Sequence, residues 1–324
     1  MSSRAAEKQR RREERLRLLR RRRRVAGSVT PMRVRRSCLA AALAASVLAL
    51  TACGGSDDST VSQSEAQDTP AQGAAETGMQ HIHGLGVRGA TLFIATHGGL
   101  WVAADGQTKP RRVDDSQQDI MGFSVLSKNR FIGSGHPHPS QQDQPPNLGL
   151  IESRDGGKSW KNISLAGDAD FHVLQSSGRR VYGFDGTQGR LMVSSDGGRS
   201  WQQRTPPAAI FGLAIDPTKH DRVVVATGRG TFSTSDAGKT WRPLDERLAG
   251  LLAWPRPKQL YLVDGQGQVR LSRDGGRQWH VVGSVGGQPA AFIAGATDLY
   301  AALADGSVKR STDGGQTWTV RATP

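Results

Sequence analysis

The chain of 324 residues has two cysteines, Cys38 and Cys53, so at most one disulfide is available. It has three tyrosines and an aromatic fraction of only 6%. Long apolar runs are also missing. The longest apolar segment, residues 38 to 52, is shorter than the roughly 20 residues of a bilayer-spanning helix. Basic charge is scarce where a nucleic-acid surface would need it. The net charge of +14 resides almost wholly in residues 1 to 52, which carry +12, and residues 53 to 324 carry only +2 with no Lys/Arg run. Phosphate recognition requires basic groups clustered on the folded body, so nucleic acid is excluded as a partner. Glycine is abundant at 40 residues, which suits many short strands joined by tight turns.

The first 80 residues read as processing and tethering sequence. Residues 1 to 31, with arginine at every position from 20 to 24, are either a basic extension or sequence ahead of the true start. Met32, Arg33, Arg35 and Arg36 open a conventional signal-peptide n-region spanning residues 32 to 52. Arg35 and Arg36 also resemble a twin-arginine signal, except that Cys38 stands where that pattern prefers Phe. The apolar segment ends in Leu50, Thr51, Ala52 and Cys53, which resembles the lipobox of bacterial lipoproteins. The resemblance implies lipidation of Cys53, loss of Cys38 and an extracytoplasmic protein anchored to the cell membrane. Residues 53 to 80, rich in Ser, Gln, Asp, Ala and Gly, read as a disordered linker.

Residues 81 to 324 are organised by a repeat. Ser153, Asp155, Gly156, Gly157 and Trp160 recur as Ser194 to Trp201 around Asp196, and as Thr234 to Trp241 around Asp236. They recur again as Ser272 to Trp279 around Asp274 and as Ser311 to Trp318 around Asp313. A decayed copy stands at Asp105 and Gly106. The six aspartates are separated by 50, 41, 40, 38 and 39 residues, one four-stranded sheet each. These are Asp-boxes, or BNR repeats, and they predict an all-β, six-bladed β-propeller with the box at each turn between the third and fourth strands. The box chemistry is that of a turn: a carboxylate accepting backbone N–H bonds, glycines at positive φ, and an indole that packs. Phe93, Phe131, Tyr182, Val224, Tyr261 and Tyr300 are expected at equivalent core positions of the second strands.

Six of the eight histidines lie between residues 81 and 172. The innermost strands of the first three blades begin with His81 and His83, with Asp119 and Met121, and with Asp170 and His172, each pair flanking an apolar residue. The fourth has Ala209 and Phe211 in these places. Alternation along a strand would project each pair to one face. His97 and His136 follow the second strands of blades one and two, so all these groups are expected at the mouth opposite the boxes. The Pro-rich stretch from His136 to Asn147 is a candidate lid. Three readings remain open: histidines lining a polar channel, a transition-metal site for Zn or Cu with His81, His83, His97, Met121, His136 and His172 as candidate ligands, or a small-ligand or glycan site with Asp119 and Asp170 as its carboxylates.

Asp-box propellers resemble sialidases and other glycoside hydrolases, the sortilin luminal domain and the photosystem II assembly factor family. The lipobox followed by His81, Ile82, His83, Gly84, Leu85 and Gly86 and then boxes is similar to bacterial lipoproteins labelled sialidase-like. The resemblance therefore implies either a glycoside hydrolase using Asp119 and Asp170 or a protein-assembly scaffold. Sialidase chemistry is disfavoured: it needs a Tyr–Glu pair, yet the tyrosines have packing assignments, and Glu152 and Glu246 are the only glutamates after residue 80.

Overall fold

A computed structural model describes Met79, residues 81–114 and residues 117–324. The basic extension, signal peptide, lipidated Cys53 and linker expected from the sequence lie, apart from Met79, outside the described residues.

Short amphipathic segments, many of them joined by Gly-containing turns, fold into 24 strands in six antiparallel sheets of four. Blade one comprises β1 (Ile82–Arg88), β2 (Thr91–Thr96), β3 (Gly99–Ala103) and β4 (Arg111–Arg112). Blade two comprises β5 (Asp119–Val125), β6 (Phe131–His136), β7 (Leu150–Ser153) and β8 (Lys161–Ser164). Blade three holds β9 (Phe171–Ser177), β10 (Arg180–Asp185), β11 (Arg190–Ser194) and β12 (Gln202–Arg204), and blade four holds β13 (Ile210–Ile215), β14 (Val223–Thr227), β15 (Gly230–Thr234) and β16 (Arg242–Asp245). Blade five is β17 (Leu251–Arg256), β18 (Gln259–Val263), β19 (Gln268–Ser272) and β20 (His280–Ser284). Blade six is β21 (Pro289–Ala294), β22 (Leu299–Leu303), β23 (Val308–Ser311) and β24 (Thr319–Ala322). The innermost strands pack in a closed circle, β1 on β5, β5 on β9, and so on until β21 returns to β1. The expected six-bladed propeller is therefore present.

The cores lie between blades. Six buried clusters each join residues of two neighbouring blades, and a tryptophan packs against each: Trp160, Trp201, Trp241, Trp279 (with Trp254), Trp318 and, between blades six and one, Trp101. The box indole thus fills the wedge against the preceding blade. Gly157, at φ +93°, shows why glycine is required beside it, because a Cβ there would meet Leu100 of blade one at 2.3 Å. Within the box of blade three, Asp196 Oδ1 accepts from Ser194 Oγ at 2.8 Å, Arg199 N at 3.0 Å and Ser200 N at 2.9 Å. The decayed box of blade one has Pro110 where the indole would stand, and Trp101 of β3 takes over its packing role.

Two details depart from the sequence expectation. Phe131 is one place earlier in register than its supposed equivalents. It pairs with the box residue Ser153, whereas Phe93, Tyr182, Val224, Tyr261 and Tyr300 pair one residue further along, a place held in blade two by Ile132. Ring closure, for which the sequence offered no signal, adds side-chain hydrogen bonds to the packing of blade six on blade one. Arg321 on β24 donates to the carbonyls of Ala90 (2.9 Å), Ala103 (3.1 Å), Ala104 (2.9 Å) and Gln107 (2.6 Å) of blade one. Met79 is buried at the same junction.

Replacing Arg321 by Ala should therefore lower the unfolding free energy by about 1.5–3 kcal/mol, the usual worth of hydrogen bonds from a charged group, read by urea denaturation. Acid should also weaken the fold. The carboxyls of Asp155, Asp196, Asp236, Asp274 and Asp313 all titrate below the ordinary 3.8, Asp155 at about 2, because hydrogen bonds from the box turn outweigh what burial there is. Their contribution is complete above the unfolded value and is lost as pH falls through the folded ones. Thermal midpoints should drop below about pH 4; a midpoint constant down to pH 2 would contradict this account.

Candidate functional site

Each innermost strand except that of blade five begins with a β-bulge against its neighbour, at His83, Met121, His172, Phe211 and Ala290. The extra residue breaks simple alternation and re-aims its side chain. These five residues, with Leu251 of blade five, line one end of the central channel as a cavity of about 240 Å³. His, Met and His from the first three blades thus face Phe, Leu and Ala from the last three. Phe211 is 50% exposed on this rim.

Around the bulges the polar groups gather at two blade junctions. Between blades one and two, His97 Nδ1 donates to Asp119 Oδ2 at 2.6 Å, and His83 Nε2 stands 3.8 Å from Asp119 Oδ1. The His83 and His97 rings meet edge-on at 4.4 Å, and His81, held at φ +56°, places its ring 5.1 Å from His97. Asp119 thus turns towards the neighbouring blade, whereas the alternation argument had paired it with Met121 of its own strand. Between blades two and three, Asp170 Oδ2 accepts from His172 Nε2 at 2.8 Å and lies 3.5 Å from His136 Nε2. His136 Nδ1 donates to the carbonyl of Pro146 at 2.8 Å, so the Pro-rich loop is folded back onto the site and fixes that ring. His138 bonds to Ser140, and His220 and His280 are exposed elsewhere.

Burial sets the chemistry of these groups. Desolvation, reinforced by the adjacent His97 ring, pushes His83 down to about 4 against the pull of Asp119, so His83 is neutral near neutral pH. His172 moves the other way, raised by its hydrogen bond to Asp170 despite partial burial. Among the described residues, the buried side-chain atoms lacking a hydrogen-bond partner divide sharply. Trp101 Nε1, Arg204 Nε, Trp254 Nε1 and Arg270 Nε are scattered donors, whereas His83 Nε2, Asp119 Oδ1 and Asp170 Oδ1 all sit at this mouth. Ligand atoms of His83, His97 and Asp119 lie within 4.8 Å of one another, the spacing of a set that could hold a metal ion. The sequence located these residues but missed the bulges that converge them; the apolar residue between each polar pair was the one available hint.

Comparison with known proteins supports the repeat and the fold. Residues 309–320 match the BNR/Asp-box repeat family model. The chain is similar to the dispase autolysis-inducing protein of Streptomyces mobaraensis, 28% identical over 102 residues, 31% of this chain and 27% of that protein. It is also similar to the photosystem II assembly protein Ycf48 of Thermosynechococcus vestitus, 25% identical over 143 residues, 41% of each chain. It thus spans well under half the length of these relatives. A GH74 xyloglucanase structure from Xanthomonas campestris superposes with a TM-score of 0.51 at 15% identity, over 75% of this chain and 45% of that one, a likeness of fold alone.

In the metal-free protein, NMR titration should place His172 above and His83 well below the ordinary histidine value of 6.5. The stability contributed by His172 is then present below pH 6.5 and lost as pH rises through its folded value. His83 works oppositely, costing stability as pH falls from 6.5 towards 4. Asp170→Asn should bring the His172 midpoint down; an unmoved midpoint would disprove the assigned cause.

Proposed function

We propose that this protein is an extracytoplasmic, lipid-anchored propeller that binds a divalent transition metal between blades one and two. The ligands are His83, His97 and the carboxylate of Asp119, with a further coordination position open to the channel mouth. The observation that carries the reading is the pair of buried, unpartnered acceptors His83 Nε2 and Asp119 Oδ1, aimed at the space beside His97. An imidazole, an imidazole and a carboxylate suit Zn(II) or Cu(II), and neutral His83 is already in the state a metal requires. Binding releases the proton shared by His97 and Asp119. Met121 on the same rim supplies a thioether, which would favour Cu(I) were copper the resident ion. The anchor is supported by the order of n-region, apolar segment, Cys53 and polar linker.

Hydrolysis of glycans by Asp119 and Asp170 is less favoured because both carboxylates are engaged by imidazoles. A sialidase mechanism lacks its nucleophile, since Tyr182, Tyr261 and Tyr300 are buried in the wedges between blades, and the Tyr182 hydroxyl donates to the His220 carbonyl. Glu152 is held by Arg130 and Arg154, whose hydrogen bonds keep it ionised against the burial that opposes them. A protein ligand is the second reading. The partial match to an assembly protein favours it, and the exposed Phe211 offers an apolar foothold on the same rim.

The test is Zn²⁺ and Cu²⁺ titration of the purified chain by calorimetry. At least one ion per chain is expected, with affinity lowered tenfold or more in His83→Ala and in Asp119→Asn at unchanged folding. Equal affinity in the wild type and both variants would remove the metal from this position.

A further inference from the structure

The junction between blades two and three repeats two positions of the arrangement just assigned to a metal, a histidine ending one blade's second strand and an aspartate entering the next; its third group, His172, comes from the bulge of the aspartate's own blade, where the first set takes His83 from the blade before, and the three groups are less closely gathered. The bulge register makes the equivalence explicit. Asp119 and Asp170 each stand two residues before a bulge, at Met121 and His172. His97 and His136 each follow the second-strand residue that pairs with the position just before the bulge, Thr96 opposite Ile82 and Gly135 opposite Ile120. Each junction therefore has a histidine from the end of one blade's second strand directed at an aspartate entering the next blade. The series stops at blade three, where the corresponding place is Gly186; a Cβ there would collide with the His172 ring at 2.9 Å. Glycine thus leaves the room that the His172 ring occupies beside Asp170.

We infer that His136, Asp170 and His172 form a second divalent-metal site, so that the mouth holds two ions at neighbouring blade junctions. The inference rests on the metal reading of the first junction. Asp170 is only 3% exposed, and its Oδ1 is buried with no hydrogen-bond partner. The His136 tautomer points the same way. Its Nδ1 faces a carbonyl, which only accepts, so Nδ1 carries a proton and Nε2 is the ring nitrogen turned to Asp170. Nε2 stands 3.5 Å from Asp170 Oδ2, a separation that two ligand atoms of one ion can take. A ring N–H donating to a backbone carbonyl while the other nitrogen is free is the outer hydrogen bond that orients metal-binding histidines. His172 Nε2, now donating to Asp170, loses that proton on coordination.

Elemental analysis after equilibrating the full chain with excess Zn²⁺ and desalting should give two Zn per chain. The double variant His136→Gln/His172→Gln changes two half-exposed rings and leaves the buried Asp170 in place; it should retain one. His83→Gln/His97→Gln should also retain one, and Zn-edge anomalous density should appear beside Asp170. One Zn in the wild type, lost with His83 and His97 and untouched by His136 and His172, would overturn this inference and leave the first site standing. No Zn in any protein would overturn both. A proton alone bridging His136 and Asp170 would show as one wild-type equivalent together with a His136 resonance that titrates with pH in the Zn-saturated protein, and it too would overturn the second site.

Discussion

The wedge between neighbouring blades is the constraint from which the remaining structure follows. Strands fan outward from a common axis, so adjacent sheets diverge and the space between them must be filled by groups that widen with radius. Here the filling is divided between an indole and a glycine: a tryptophan occupies each wedge, and in the five full boxes the glycine beside it brings backbone against an aliphatic side chain of the preceding blade. Because Ser or Thr, Asp and Gly fix the turn through local hydrogen bonds, the indole is delivered to the equivalent wedge each time, donating to the box-glycine carbonyl in four boxes and to the Thr205 carbonyl in that of blade four. Six such wedges return β21 to β1.

A repeated wedge also repeats whatever stands at its narrow end. The bulges at the start of the inner strands lie at equivalent heights in five blades, so a change of residue type there alters the mouth without disturbing the packing outside it. Blades four to six put Phe211, Leu251 and Ala290 at the rim and blades one to three put His83, Met121 and His172. The two halves share one backbone design, and their difference is confined to side chains that the core does not need.

The sequence made the fold legible because box spacing reports blade length directly, and Asp155 through Asp313 together with their tryptophans occupy the places expected of them. It also located the polar groups of the mouth. It could not report register. Phe131 looks like Phe93 in the linear pattern and is offset by one because blade two starts its second strand at that residue. Nor could alternation foresee that Asp119 would cross to His97 and His83, since a bulge cancels the period on which alternation depends. Closure escaped notice because one arginine, Arg321, reinforces it through four carbonyl groups that carry no sequence signature.

The polar mouth also carries an energetic cost. A buried acceptor without a partner costs about 1–3 kcal/mol, a sizeable share of the margin by which a folded domain is stable. Elsewhere this chain spends its polar groups conservatively. Asp185 is fully buried yet bonded by Arg190 and by backbone N–H groups, and Asp216 is satisfied by Thr218, Lys219 and Arg222. Asp119 and Asp170 could have been treated likewise, by an arginine from the adjacent strand. Imidazoles stand there instead, each donating to one oxygen of its carboxylate and leaving the other oxygen without a partner. Such a set is poor as a structural network and well suited to a cation, because the ion supplies at once the positive charge that both kinds of acceptor lack. The mouth differs in this from the box carboxylates on the outer turns, whose Oδ1 is engaged by the hydroxyl and backbone N–H groups of the turn itself.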